Sequence, residues 1–245
     1  MKKLMVCALL VCAAQPAAAQ ENAETKELIG HMGGRNALLV LHASQRADGG
    51  WQISGEYLLL PTLVRRFLEG ERSPEIGVTA LREGSTPILF GRHPSAELRG
   101  TWRAGQFRGM RYAPGGQERE RFEFSEEFPS MAGYSASVRC ETTEGRYAAT
   151  LAYAVENGRL KSVDWRSKVA PSGHVCALSA AEQQSFKGGL RFTSGRCVVT
   201  LRDLGEQVGV FAEHCTELCG SQAYLEPLIV DRRGNCRLLR PAEAK

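Results

Sequence analysis

The chain has 245 residues, 31 of them Lys or Arg and 27 Asp or Glu, for a formal net charge of +4. Setting aside Lys2 and Lys3 at the amino terminus leaves 29 basic against 27 acidic residues, a balance that argues against nucleic-acid binding. No stretch approaches the ~20 apolar residues that a bilayer-spanning helix requires.

The first segment reads "MKKLMVCALLVCAAQPAAAQ". Two lysines, a short apolar run and the small residues Ala17–Ala19 predict a signal peptide, residues 1–19, cleaved after Ala19. Val11 before Cys12 departs from the pattern of a lipid-anchored cysteine. The expected location is the periplasm. Residues 20–36, with "GHMGG" at 30–34, read as a flexible leader. The glycines there lack the lysine and strand context of a phosphate loop.

From residue 37 to 131 the pattern is a cysteine-free antiparallel β domain. "ALLVLHA" opens a strand. In "WQISGEYLLL", Trp51, Ile53, Gly55, Tyr57 and Leu59 share one face while Gln52, Ser54 and Glu56 share the other, the period of two expected of a half-buried strand. "VRRFLEG", "EIGVTALREG", "TPILFG", "AELRGTWR", "QFRGMRY" and "RERFEFS" follow, punctuated by Gly and Pro at the intervals of an all-β fold. Ala104-Gly105 reads as a tight hairpin turn between Trp102 and Phe107. The acids Glu56, Glu69, Glu83 and Glu97 are expected on the solvent face.

"SGEY", "RGTW" and "RGMRY" each set a glycine close before an aromatic ring. Glycine inside a strand marks a bend or a close approach, which a neighbouring ring can cover. Two readings stand side by side. One is core packing at barrel bends. The other is an apolar ligand groove lined by Trp51, Tyr57 and Trp102, which would make the domain a carrier of small apolar molecules.

The stretch 126–137, "EEFPSMAGYSAS", reads as a join, and residues 132–245 as a second antiparallel β domain. Glu144-Gly145 and Asn157-Gly158 predict hairpin turns between strands near 134–142, 145–155 and 158–167. "GLRFTSGRCVVTLRDLGEQVGVFAEHC" supplies three more strands, with a turn at "LGEQ". "SAAEQQSF", 179–186, has the form of a small helix capped by Ser179 with Glu182 three residues on. A bridged turn and a strand close the chain.

All six cysteines outside the signal segment, Cys140, Cys176, Cys197, Cys215, Cys219 and Cys236, fall in this second domain. An even count in an exported chain predicts three disulfides, with fifteen possible connectivities. Cys197 and Cys215 face each other about the "LGEQ" turn, which favours that pair. Cys140–Cys176 and Cys219–Cys236 would complete a sequential pattern. His214-Cys215 with Cys219 has only part of a zinc spacing, and three residues separate Cys215 from Cys219, so neither a metal site nor a CxxC redox motif is expected. The five histidines, 31, 42, 93, 174 and 214, sit in no HExxH, and no GxSxG elbow is present. Neither catalysis nor a cofactor is expected.

The overall expectation is an all-β protein of two small antiparallel meander or barrel-like domains, the second stapled by disulfides. The run "ISGEYLLL … RFLEG … LRGTWRAGQFRGMRY … RFEF", followed by a cysteine-bearing domain, resembles exported bacterial proteins of the lysozyme-inhibitor type. In that family a Ser-Gly loop enters the lysozyme cleft and meets the two catalytic carboxylates. "VAPSGHVC", 169–176, is similar to that loop in Ser172 and Gly173, while Val175 and Cys176 stand where the family pattern runs on to tyrosine. The resemblance implies a non-catalytic binding protein whose partner is a cell-wall hydrolase, with Lys168, Ser172, Gly173 and His174 at the contact. An immunity protein against a periplasmic toxin is an alternative of a different class.

Overall fold

The computed structural model describes residues 23–60, 62–73, 77–86, 94–116, 119–179, 182–184 and 186–239. The expected signal segment, most of the strand expected at 86–91 and His93 lie outside these residues.

Eight antiparallel strands close into a barrel: β1 (Ala23–Met32), β2 (Arg35–Gln45), β3 (Trp51–Leu59), β4 (Val64–Arg72), β5 (Val78–Gly84), β6 (Ala96–Arg103), β7 (Gln106–Tyr112) and β8 (Arg119–Ser125). Each pairs with the next in sequence, and β1 closes the ring on β8 through Ile29–Met32 against Ser125–Phe122. The flexible leader expected at 20–36 is therefore corrected. From Ala23 onward it is a barrel strand, and Gly33-Gly34, both at positive φ, form its turn into β2. Ala104 and Gly105 also take positive φ, the geometry of a two-residue primed turn that matches the strand twist.

Inward positions follow the register. Leu28, Leu39, Leu68, Leu81, Leu98, Phe107, Phe122 and Phe124 fill the middle of the barrel, each at most 1 % exposed. An eight-stranded barrel is just wide enough for such side chains to fill it. Two glycines, Gly100 on β6 and Gly109 on β7, are paired across the ladder beneath the ring of Phe122. A Cβ on either would stand 2.7 Å from Phe122 Cζ, so the ring occupies the space those glycines leave. Outward positions carry charge, in pairs such as Arg99–Glu97 and Arg108–Glu123. Apolar inside and charged outside is the inverse of a membrane-spanning barrel.

Residues 126–135 run without regular structure into the second half. There a four-stranded sheet holds β9 (Ala136–Glu144), β10 (Tyr147–Glu156), β11 (Arg159–Val169) and β12 (His174–Leu178) in the order β12-β11-β10-β9. A six-stranded sheet runs in sequence order through β13 (Glu182–Gln184), β14 (Leu190–Ser194), β15 (Cys197–Asp203), β16 (Gln207–Glu213), β17 (Leu228–Asp231) and β18 (Cys236–Leu238). One core joins the two sheets, with Trp165, Tyr153, Leu151, Phe192, Val199 and Val210 inside it. A single helical turn, α1 (Thr216–Cys219), lies between β16 and β17.

The three disulfides are Cys140–Cys236, Cys176–Cys219 and Cys197–Cys215. The stretch 211–236 is thus a stapled turn, and each of its cysteines reaches back to an earlier strand. The pair across the β15–β16 hairpin is as expected. The sequential pairs Cys140–Cys176 and Cys219–Cys236 are corrected, because one bridge joins outer strands of the two sheets and the other ties an outer strand to the helical turn. Cys140 on the outer strand β9 meets Cys236 on the outer strand β18, and Cys176 on the opposite outer strand β12 meets Cys219 in α1. The helix expected at 179–186 is also corrected: Glu182–Gln184 pairs with Thr193–Arg191 as an edge strand. Gln183 holds it there, donating through Nε2 to Gly158 O and accepting from Leu160 N through Oε1, both at 2.8 Å.

The six-stranded sheet is the middle layer. Its other face, through Ile229, Phe211 and Leu204, packs on the barrel exterior at Leu38, Leu58 and Leu60. Arg202 on β15 crosses this seam to the carboxylate of Glu27 on β1, with its guanidinium 4.3 Å from the ring of Phe128.

Candidate functional site at the barrel mouth

The two ends of the barrel differ. At the end formed by the β1–β2, β3–β4, β5–β6 and β7–β8 connections, a charged cluster plugs the interior. Glu83 is fully buried, not on the solvent face as expected. Its carboxylate accepts from Arg111 Nε (2.7 Å) and Nη2 (2.9 Å), from Tyr57 Oη (2.7 Å) and from Ser95 Oγ (2.9 Å). Burial pushes the Glu83 carboxyl up, but the hydrogen bonds from Arg111, Tyr57 and Ser95 more than offset this and hold it below the ordinary carboxylate value. Burial and the facing carboxylate push the Tyr57 phenol well above its usual range, so it serves as a fixed donor. The parity of β5 carries this arrangement: Leu81 points inward, so Glu83, two residues on, does too.

At the opposite end the barrel is open. A cavity of about 300 Å³ is lined by Leu41, Ala43 and Ile53 at its apolar base and by Trp51 and Trp102 at its sides. Trp102 stacks on Phe107, with ring centroids 4.9 Å apart and planes at 16°, so the core fixes its orientation. Ala43 occupies an inward position where a larger side chain would fill the space.

Charged residues complete the rim. Lys26 on β1 points inward, bridges Glu24 (2.9 Å) and Glu126 (2.5 Å), and sits 5.4 Å from the ring centroid of Trp102. Burial pushes its ammonium down, but hydrogen bonds to Glu126 and Glu24 outweigh that and hold it above the ordinary lysine value. Arg72 on β4 lines the cavity as well.

Of the groove residues expected from sequence, Trp51 and Trp102 come together here. Tyr57 does not; it is 2 % exposed and belongs to the polar plug at the far end. Glu24, Lys26, Arg72 and Glu126 were not anticipated. The signal for Arg72 lies in "LEGER", where alternation from the core residue Leu68 through Gly70 brings a cation onto the inward face.

Lys168, Ser172, Gly173 and His174 all lie exposed at the β11–β12 hairpin. Lys168 pairs with Val175 and Val169 with His174 across the ladder. Ser172 Oγ donates to Val169 O (3.0 Å) and accepts from His174 N (3.4 Å), and Gly173 N donates to Val169 O (3.0 Å), so the hydroxyl shapes the turn. Gly173 has φ 70°, which favours glycine there. The base of the hairpin is anchored by the Cys176–Cys219 bridge.

Among the described residues no group of three or more His, Cys, Asp or Glu side chains is placed to hold a metal ion, and no helix is long and apolar enough to cross a membrane. Comparison with protein-family models, curated proteins and solved structures finds no match.

Proposed function

We propose that this is an exported, non-catalytic binding protein whose barrel mouth takes a small ligand with a flat apolar body. The observation that carries this reading is the convergence of two half-exposed indoles, Trp51 and Trp102, on one cavity in a barrel that is otherwise packed. Binding sites combine an apolar, aromatic lining with a few placed polar groups. Three disulfides fit folding in an oxidising compartment.

The cavity suits one or two fused rings. About 12 non-hydrogen atoms at roughly −0.5 kcal/mol each give ~−6 kcal/mol, a Kd on the order of 10–100 μM. Calorimetric titration with the neutral probe 2-naphthalenemethanol is expected to find binding in that range. Ala43→Phe, which fills the base, should abolish it without lowering Tm. No binding up to about 1 mM would rule out the mouth as a ligand site.

A second reading is favoured by the exposure of the 168–175 hairpin, where Val175 is 56 % exposed beside a disulfide anchor. This tip is the proposed contact with a lysozyme-like cell-wall hydrolase or a periplasmic toxin. On that reading Lys168 faces acidic groups of the partner, and Lys168→Glu weakens inhibition. Assays against c-type, g-type and i-type lysozymes that show neither binding nor inhibition at micromolar protein would eliminate the hydrolase.

A further inference from the structure

Two arginines line the mouth without a carboxylate partner among the described residues: Arg103, which is exposed at the rim, and Arg72, which is partly buried on the inward face. The β3–β4–β5 register pairs Arg72 with Trp51 on one side and Thr79 on the other, which sets it on the inward face. It is only partly exposed and it lines the cavity. Among the described residues it forms no ion pair or hydrogen bond through its guanidinium. The adjacent acid, Glu71, faces outward and pairs with Arg46 at 3.1 Å. The two carboxylates at the rim, Glu24 and Glu126, are both taken up by Lys26. A guanidinium is a planar fork of donors, and its best complement is a carboxylate, which it binds through two parallel hydrogen bonds. Next to it stands the Trp51 ring, a flat apolar surface with which an attached ring system can stack.

We propose that the ligand of the barrel mouth is an aromatic carboxylate, its ring system between Trp51 and Trp102 and its carboxylate on the Arg72 guanidinium. This rests on the mouth being the ligand site and adds the charge and geometry of what enters it. The cavity of about 300 Å³ limits the ring system to one or two fused rings. Lys26 does not compete for the anion, because its ammonium is already bonded to the carboxylates of Glu24 and Glu126. Glu24 and Glu126 repel an anion from Lys26, and Arg103 is exposed to solvent, so Arg72 is the guanidinium placed to meet a carboxylate beside the Trp51 ring.

The test is calorimetric titration of the full-length mature protein with three probes of one shape: 2-naphthoate, 2-naphthalenemethanol and 2-naphthylmethylammonium. Naphthoate is expected to bind about tenfold more tightly than the alcohol, with the ammonium weakest. Arg72→Gln should bring naphthoate to the affinity of the alcohol and leave the alcohol unchanged, and Arg72→Lys should keep part of the preference. Equal or tighter binding of the alcohol or the ammonium to the wild type would overturn the carboxylate assignment while the mouth stood as a site. A naphthoate preference that persists in a folded Arg72→Gln variant would overturn the role of Arg72. Failure of all three probes to bind would remove both the ligand class and the site. Should Arg72→Gln not fold, the charge series on the wild type decides the ligand class alone.

Discussion

Replacing Cys140 and Cys236 together by Ala is expected to lower the free energy of unfolding by about 3–5 kcal/mol, the largest loss from removing any of the three bridges. The two cysteines are 96 residues apart in sequence, against 43 for Cys176–Cys219 and 18 for Cys197–Cys215. Crosslinking a longer loop removes more entropy from the unfolded chain, so the effects should rank in that order. Geometry points the same way. Cys140 and Cys236 lie on outer strands of different sheets, and their bond closes one side of the sandwich over Trp165 and Tyr153. Urea unfolding of the three double variants, followed by circular dichroism, measures the ranking. A smaller effect for Cys140–Cys236 than for Cys197–Cys215 would mean that the sheet-to-sheet seam is held by its apolar core alone.

Glu83→Leu is the second large effect, with an expected cost of about 3 kcal/mol, because it removes the buried two-point partner of Arg111, leaving that guanidinium with Glu120 alone at 3.3 Å, and takes the acceptor from Tyr57 Oη. Replacing both members, Glu83→Leu with Arg111→Leu, should recover most of that loss, since a well-packed apolar pair is often as stable as a buried ion pair. The cluster also sets an acid limit. The folded-state value of Glu83 lies below its ordinary 4.5. Its contribution is therefore complete above the unfolded value and disappears as pH falls through the lower, folded value. Wild-type stability should drop on acidification below about pH 4.5, and the double Leu variant should lose less over the same interval. A double variant as unstable as Glu83→Leu would show that the cluster does more than neutralise its own charges.

Most of the barrel was legible because its signals are local. Two-residue turns such as Ala104-Gly105 and Asn157-Gly158 fix register by φ alone, and alternation in β3 put Ile53 and Leu59 on the core face. The misses share a physical cause. β1 escaped because its inward row runs Glu24, Lys26, Leu28, Gly30, Met32, and its first two members belong to the mouth, where charge replaces apolar surface. Glu83 escaped because an acid in an exposed-looking strand was read by its chemistry and not by its parity. The 179–186 segment has a helical capping pattern, but Gln183 finds better partners in Gly158 and Leu160 from the other sheet, which a local reading does not contain. Cys197–Cys215 could be read from a hairpin, whereas Cys140–Cys236 depends on how two sheets stack. Trp51 and Trp102 converge only through closure of the barrel, and Tyr57, on the same strand face as Trp51, ends at the far end because six residues of strand span most of the barrel's length.

The most direct test of the mouth as the binding site is the indole region of a two-dimensional 1H–15N NMR spectrum recorded during titration with 2-naphthoate. The chain has three tryptophans, and each gives one Nε1–H signal, assigned by single Trp→Phe variants. Shifts at Trp51 and Trp102, with Trp165 in the sandwich core unmoved, are the predicted result. Movement of Trp165 alone, or no movement of any indole at saturating probe, would contradict it.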